Sequence, residues 1–264
     1  MWKLFFDTCY LFSYLIIGRR NRRWFREVKL FDYRHKLNIL RRAYPEFDWK
    51  HVYMRKGGCS LAFMVNNKYV FKVRKFNRDL RSVERYYYEK RVTDALAGVL
   101  PTRIPKMTLM ELDGLLFSKS ELIQGKMLID LPLKKLIENR EKLGCQLGRI
   151  IYKLFNSNIL PELKPANCDP NDCGFIHCDM CSNIVANPDT MDITGIIDWE
   201  FAHYGSLKTD FIGIFRVRRK MRKTDIAVEA MWEYYRLRDA AQHAGASQKK
   251  ASIKKKTAKK QNNA

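Results

Sequence analysis

The sequence predicts an α+β chain in two lobes, a small antiparallel sheet followed by a mainly helical half. Three observations predict it. Short apolar runs at residues 51–56, 61–65 and 69–73 are joined by Gly57-Gly58-Cys59-Ser60 and by Asn66-Asn67, the turn chemistry of an antiparallel meander. Residues 79–97 are helix formers up to Gly98, and 133–155 repeat Leu136, Leu143, Leu147, Ile150 and Leu154 at helical spacing. The rest alternates short strands with helices at 211–215 and 224–241. At 264 residues, 46% hydrophobic and 12% aromatic, the chain can bury a sizeable core, which excludes wholesale disorder and a bare zinc finger.

Each element follows from its own residues. In the first helix Ser82, Tyr86, Glu89, Val92 and Leu96 share one stripe, so Glu89 points where the apolar side chains point. Residues 115–118 read as a further strand, followed by a polar connector, ELIQGKML, with a glycine. In the long helix Gly144 and Gly148 permit a close neighbour. Strands at 175–176, 183–186 and 193–197 then alternate with loops, the last ending at Asp198.

The net charge of +22 predicts attraction to polyanions and speaks against a polycationic partner. Of that excess, +8 lies between residues 18 and 42 and +7 in the last eighteen residues, which leaves +7 for 43–246. Four segments are expected: 1–42, apolar then basic; 43–124, the small lobe and its connector; 125–246, the helical lobe; and 247–264, a basic tail with one large apolar residue, Ile253, expected to be disordered. Residues 2–17 are apolar and aromatic but hold Asp7 and fall short of the roughly 20 residues a spanning helix needs. Run on into GRRNRRWFR, they suit an anchor at an anionic membrane surface; the alternative is a helix folded onto one lobe. Seven cysteines without evident disulfide spacing predict a reducing, cytoplasmic setting, at the membrane periphery if the anchor holds.

The segment FIHCDMCSNIVANPDTMDITGIIDWEFAHYG concentrates the chemistry. His177-x-Asp179, Asn183-Ile184-Val185, Ile196-Ile197-Asp198-Trp199-Glu200 and Asp210 resemble the core of the aminoglycoside phosphotransferase and choline kinase-like superfamily. The resemblance extends upstream to Gly57-Gly58-Cys59-Ser60, Lys72, Glu89, residues 96–101 and Ser120-Glu121-Leu122-Ile123-Gln124-Gly125, and covers about residues 50–215. It implies a protein kinase-like fold and transfer of a phosphoryl group from ATP, with Mg, to a hydroxyl of a small molecule. It further implies that Asp179 orients and helps deprotonate that hydroxyl, that Asn183 and Asp198 bind magnesium, and that Lys72 with Glu89 places the phosphates. Backbone amides from Gly57, Gly58 and Ser60 would cap the phosphate chain, and Glu121 and Ile123 would meet adenine. Independently of any resemblance, carboxylates at strand-to-loop junctions such as Asp179 and Asp198 are costly unless a metal or donors compensate them.

Two features admit other readings. The family's loop is H-x-D-x4-N, whereas His177 to Asn183 spells H-x-D-x3-N, so a kinase-fold binding protein with weakened or lost catalysis, docked to membrane or nucleic acid by its basic ends, is the alternative. Cys168, Cys173, Cys178 and Cys181 with His177 could instead form a zinc site, although only the last cysteine pair has the usual spacing and a metal there would dislocate Asp179. Trp199 and Tyr86-Tyr87-Tyr88 are expected in the core and no single-strand binding motif accompanies them, so nucleic acid is not an expected partner.

Overall fold

The computed structural model describes residues 22–56, 60–74, 80–169, 172–180, 182–216 and 220–261. The chain divides into two compact units, Met1–Asp94 with Pro105–Leu122 and Ala95–Ile104 with Ile123–Ala264.

The first unit is built on one five-stranded antiparallel sheet. Its strands β1 (Val52–Lys56), β2 (Ser60–Val65), β3 (Tyr69–Arg74), β4 (Thr108–Leu112) and β5 (Leu115–Glu121) lie in the order β1-β2-β3-β5-β4. Asn66 and Asn67 turn β2 into β3 with φ of 53° and 52°. Two left-handed residues make a hairpin turn of type I′, and Asn is among the few side chains that tolerate it. Strand alternation gives the sheet two faces. On one, Phe63, Phe71, Val73 and Phe117 pack with Ile39, Leu40 and Tyr44. On the other, Leu116 packs with Met107 and with Tyr86 of the helix α2 (Leu80–Ala95).

Ile39 and Leu40 belong to a helix, α1 (Arg22–Ala43), and the end of the basic segment is part of the first unit's core. Tyr33, Leu37, Leu40 and Tyr44 recur at helical spacing and turn one stripe to the sheet, while the arginines between them carry the charge. The proposed anchor at residues 2–17 lies outside the described residues. No helix among the described residues is long and apolar enough to cross a membrane.

The second unit is mainly helical. α3 (Leu133–Glu138) leads into α4 (Arg140–Phe155), whose buried Leu143, Leu147, Ile150 and Leu154 are the residues the sequence period selects. A last helix, α6 (Ile226–Gln261), packs along it. A Cβ on Gly148 would stand 2.5 Å from the Ala230 carbonyl oxygen and 2.8 Å from Cβ of Glu233, so this approach requires glycine. Beside it Glu233 accepts from Arg149 at 2.9 Å and from Arg236 at 2.7 Å. α6 runs as far as Gln261, its Ala, Lys and Gln residues being good helix formers that extend a helix already nucleated upstream.

Two small sheets complete the unit. β7 (Cys173–Ile176) pairs antiparallel with β10 (His203–Ser206), and β8 (Ile184–Ala186) lies between β6 (Lys126–Met127) and β9 (Ile193–Ile196). They hold the two ends of the 177–198 segment, after which α5 (Leu207–Arg216) begins.

Candidate active site

In the first unit, Lys72 sits on the central strand β3 between Ala62 of β2 and Ser118 of β5, on the face turned to α2. Its ammonium donates to Glu89 Oε2 at 3.0 Å and Oε1 at 3.3 Å. Glu89 is 3% exposed and shares the buried stripe of α2 with Tyr86 and Val92. The sequence-predicted pair is therefore brought together. A half-buried ion pair of this kind fixes where the lysine charge is held.

The phenol of Tyr86 donates to the backbone carbonyl of Lys72 at 2.9 Å, and the Arg74 guanidinium lies 5.0 Å from the centre of the Tyr86 ring. Burial pushes the Tyr86 phenol well above its ordinary range, so it stays protonated and remains a donor. Ser60, buried at the start of β2, lies opposite Arg74. Gly57 and Gly58 lie outside the described residues. Glu121 closes β5 and is exposed.

In the second unit, β7 delivers His177, Cys178 and Asp179. His177 is fully buried, and burial depresses its pKa. Its Nδ1 accepts the backbone N–H of Asp179 at 3.2 Å, which makes Nε2 the protonated nitrogen, and Nε2 meets the Ile197 carbonyl at 3.0 Å. A neutral imidazole with one acceptor and one donor nitrogen satisfies both bonds. His177 thus ties the segment of Asp179 to the segment of Asp198, and its ring packs on Trp199, with the centroids 4.5 Å apart.

Asn183 donates to the backbone carbonyl of Asp179 at 2.7 Å and to its carboxylate at 3.2 Å. Its own carbonyl accepts the N–H of Ile197 at 3.0 Å, one residue before Asp198. The loop one residue shorter than the family spacing still turns Asn183 onto Asp179. Burial, and less strongly the charges of Asp198 and Glu200, push the Asp179 carboxyl above the usual carboxylate range, against His177 and the Asn183 bond. Cys178 and Asp198 are both left-handed, with φ of 70° and 66°.

Two acids that the sequence reading left without a role belong to this cluster. Asp210, 1% exposed on α5, accepts the backbone N–H groups of His177 at 2.9 Å and Cys178 at 2.7 Å. Burial pushes its carboxyl up, against the donors that favour its anion. Glu200, 8% exposed, has a carboxylate oxygen within 4.8 Å of one on Asp198. Oxygen donors this close suit a hard divalent cation, so the residues present fit magnesium. Ile123 is buried against Gly195, where a Cβ would stand 2.6 Å from the Ile123 side chain.

The cysteines correct the earlier expectation. Cys168 and Cys173 form a disulfide with Cα atoms 5.4 Å apart. The chain turns between them, with the Cys173 N–H on the Asp169 carbonyl at 2.8 Å, and this brings the pair into bridging range. Their sulfurs are thereby removed from a zinc set and from a pool of free thiols. Cys178 is free, and Cys181 lies outside the described residues.

Residues 133–245 match the family model described as the phosphotransferase enzyme family. No curated protein sequence matches the chain. Among solved structures, the chain is similar to the GDP complex of wild-type aminoglycoside 2'-phosphotransferase-IIIa, at 15% identity over 76% of this chain and 82% of that one, TM-score 0.59. It is also similar to the streptomycin–ATP ternary complex of APH(2'')-IIa, at 14% identity over 75% and 81%, TM-score 0.57. A third is aminoglycoside-3'-phosphotransferase of type VIII, at 14% identity over 76% and 92%, TM-score 0.57. At these identities the likeness is one of fold.

Proposed function

We infer that this chain, whose residues 133–245 match the family model described as the phosphotransferase enzyme family, is an ATP- and magnesium-dependent phosphotransferase acting on a hydroxyl of a small molecule. The observation that carries this reading is the buried His177 bridge, which gathers Asp179, Asn183 and the Asp198 segment despite the short loop. Asp179 accepts the hydroxyl proton and orients the oxygen for attack on the terminal phosphorus. Its raised pKa favours that role, since a carboxylate of higher basicity is the better proton acceptor.

Asp198 and Asn183, joined by Glu200, are the residues that would hold magnesium; bound there, the cation offsets phosphate charge. Lys72, placed by Glu89, takes the phosphates that do not react. Glu121 and Ile123 flank the adenine, and the backbone at Gly57, Gly58 and Ser60 caps the phosphates. The reaction breaks the bond from the terminal phosphorus to its bridging oxygen and forms one to the acceptor oxygen, releasing ADP and a phosphate ester.

Structures of the same fold were solved with streptomycin and ATP, but the +7 of residues 43–246 argues against a polycationic acceptor here. The test is acceptor-dependent ADP release over a panel of neutral, anionic and cationic hydroxyl compounds, with Asp179→Asn as control. Turnover with one acceptor class, lost in Asp179→Asn, is expected. Nucleotide binding without turnover for any acceptor would turn the reading to a kinase-fold binding protein.

A further inference from the structure

α2 grips Lys72 at both ends. Glu89 takes its ammonium, and Tyr86, three residues earlier on the same helix, donates its phenol proton to the backbone carbonyl of the same residue at 2.9 Å. Residues three apart lie one above the other on a helix face, so the two bonds leave one face of α2 and meet one residue of β3. Tyr86 has no exposed surface, and Arg74, two residues beyond Lys72 on the same face of β3, covers its ring. Met107 and Leu116 pack around it. A phenol that only filled this space would need no hydroxyl, since phenylalanine has the same ring. The hydroxyl is aimed at the strand position that carries the lysine.

We propose that Tyr86 is a positioning residue for Lys72: its hydroxyl fixes the spacing between α2 and β3 at the lysine itself and so keeps the ammonium within reach of Glu89. The ion pair alone leaves the four-carbon stem of the lysine free to follow any shift of the helix, because a lysine head is a flexible point charge. A bond to the backbone of the same residue removes that freedom. Loss of the hydroxyl therefore loosens the pair without removing either partner. The consequence for phosphate placement rests on the phosphotransferase reading, whereas the geometric claim does not.

The test separates the two. Full-length wild type, Tyr86→Phe and Glu89→Gln are treated with trace acetic anhydride, and acetylation of Lys72 is read by peptide mass spectrometry. Lys68, in the turn between β2 and β3, and Lys119, on β5, serve as internal references. Lys72 labelling is expected to rise about fivefold in Tyr86→Phe, the factor that matches the net worth of one typical hydrogen bond, with Lys68 and Lys119 unchanged. Replacing Tyr86 by 4-aminophenylalanine restores a donor and should restore slow labelling. In turnover assays the KM for ATP should rise more than kcat falls.

Lys72 labelling that stays at the wild-type rate in Tyr86→Phe overturns the proposal. So does an equal rise at all three lysines, which marks a loosened sheet. A wild-type protein that neither binds nor turns over ATP would end the phosphotransferase reading, while the Lys72 labelling would still decide for or against Tyr86.

Discussion

Asp210 and His177 are joined by a buried bond in which the Asp210 carboxylate takes the His177 backbone N–H at 2.9 Å, and its second oxygen takes the next N–H, that of Cys178. The bond spans 33 residues and anchors the loop that carries Asp179 to α5. Asp210→Ala would leave both N–H groups buried and unpaired, at about 1–3 kcal/mol each. Its melting temperature should fall by roughly 5–10 °C in scanning fluorimetry. Asp210→Asn keeps one acceptor oxygen and should fall less. Both variants should lose at least about tenfold in acceptor-dependent ADP release, because the loop backbone moves with the anchor.

Removing Asp198 and removing Asp179 should have different consequences. Asp198→Ala takes away one of the carboxylates proposed to hold magnesium and should weaken ATP binding in the presence of magnesium by about tenfold or more, while Asp179→Ala should abolish transfer with nucleotide binding kept. Asn183→Ala should raise the magnesium concentration needed for half-maximal activity. Titration calorimetry and a magnesium series check the set.

Gly148→Ala places a methyl 2.5 Å from the Ala230 carbonyl oxygen, which is backbone and cannot swing aside. α4 and α6 must then separate, and the expected loss is about 1–3 kcal/mol, read as a lower urea midpoint with an unchanged slope.

Hydrogen bonding from Arg236, with Arg149 adding to it, lowers the pKa of Glu233 to about 2, below the ordinary carboxylate value. A carboxyl whose folded pKa is depressed contributes stability that is complete above its unfolded pKa and is lost as pH falls through the folded one. The difference in melting temperature between wild type and Glu233→Gln should therefore be constant above about pH 5, shrink below about pH 4.3 and vanish near the folded value. A difference that does not change with pH would show that the ion pairs are not its source.

Much of the fold was legible because it depends on short-range periodicity. Asn66-Asn67 marked a hairpin, Leu143, Leu147 and Leu154 marked the buried side of α4, and the stripe of Tyr86 and Glu89 put the glutamate beside a strand lysine. Other features were masked by composition. Ile39 and Leu40 sit among so many arginines that the segment was marked by its charge, although its apolar residues alone keep a helical register. β4 was missed because most of its residues are exposed, so the strand lacks the apolar alternation that marks its neighbours. The anchoring role of Asp210 and the bridge from His177 to Ile197 join residues 33 and 20 apart, and no local pattern encodes such a pairing. The disulfide escaped notice for a similar reason, since a five-residue separation says nothing about a turn that closes it.

Cys178 and Asp198 both hold left-handed backbone, one beside Asp179 and the other a carboxylate of the cluster itself. For residues with a Cβ such a conformation costs on the order of 1–3 kcal/mol, and it persists only where neighbours over-determine it. Here the neighbours are the Asp210 bond to the Cys178 N–H and the imidazole packed on Trp199. The torsional work is thus done once, while the chain folds, and not at each encounter with a ligand. A loop bent in advance has little left to rearrange, so its shape should be the same in free and nucleotide-bound protein, and the slow step of any turnover should lie elsewhere.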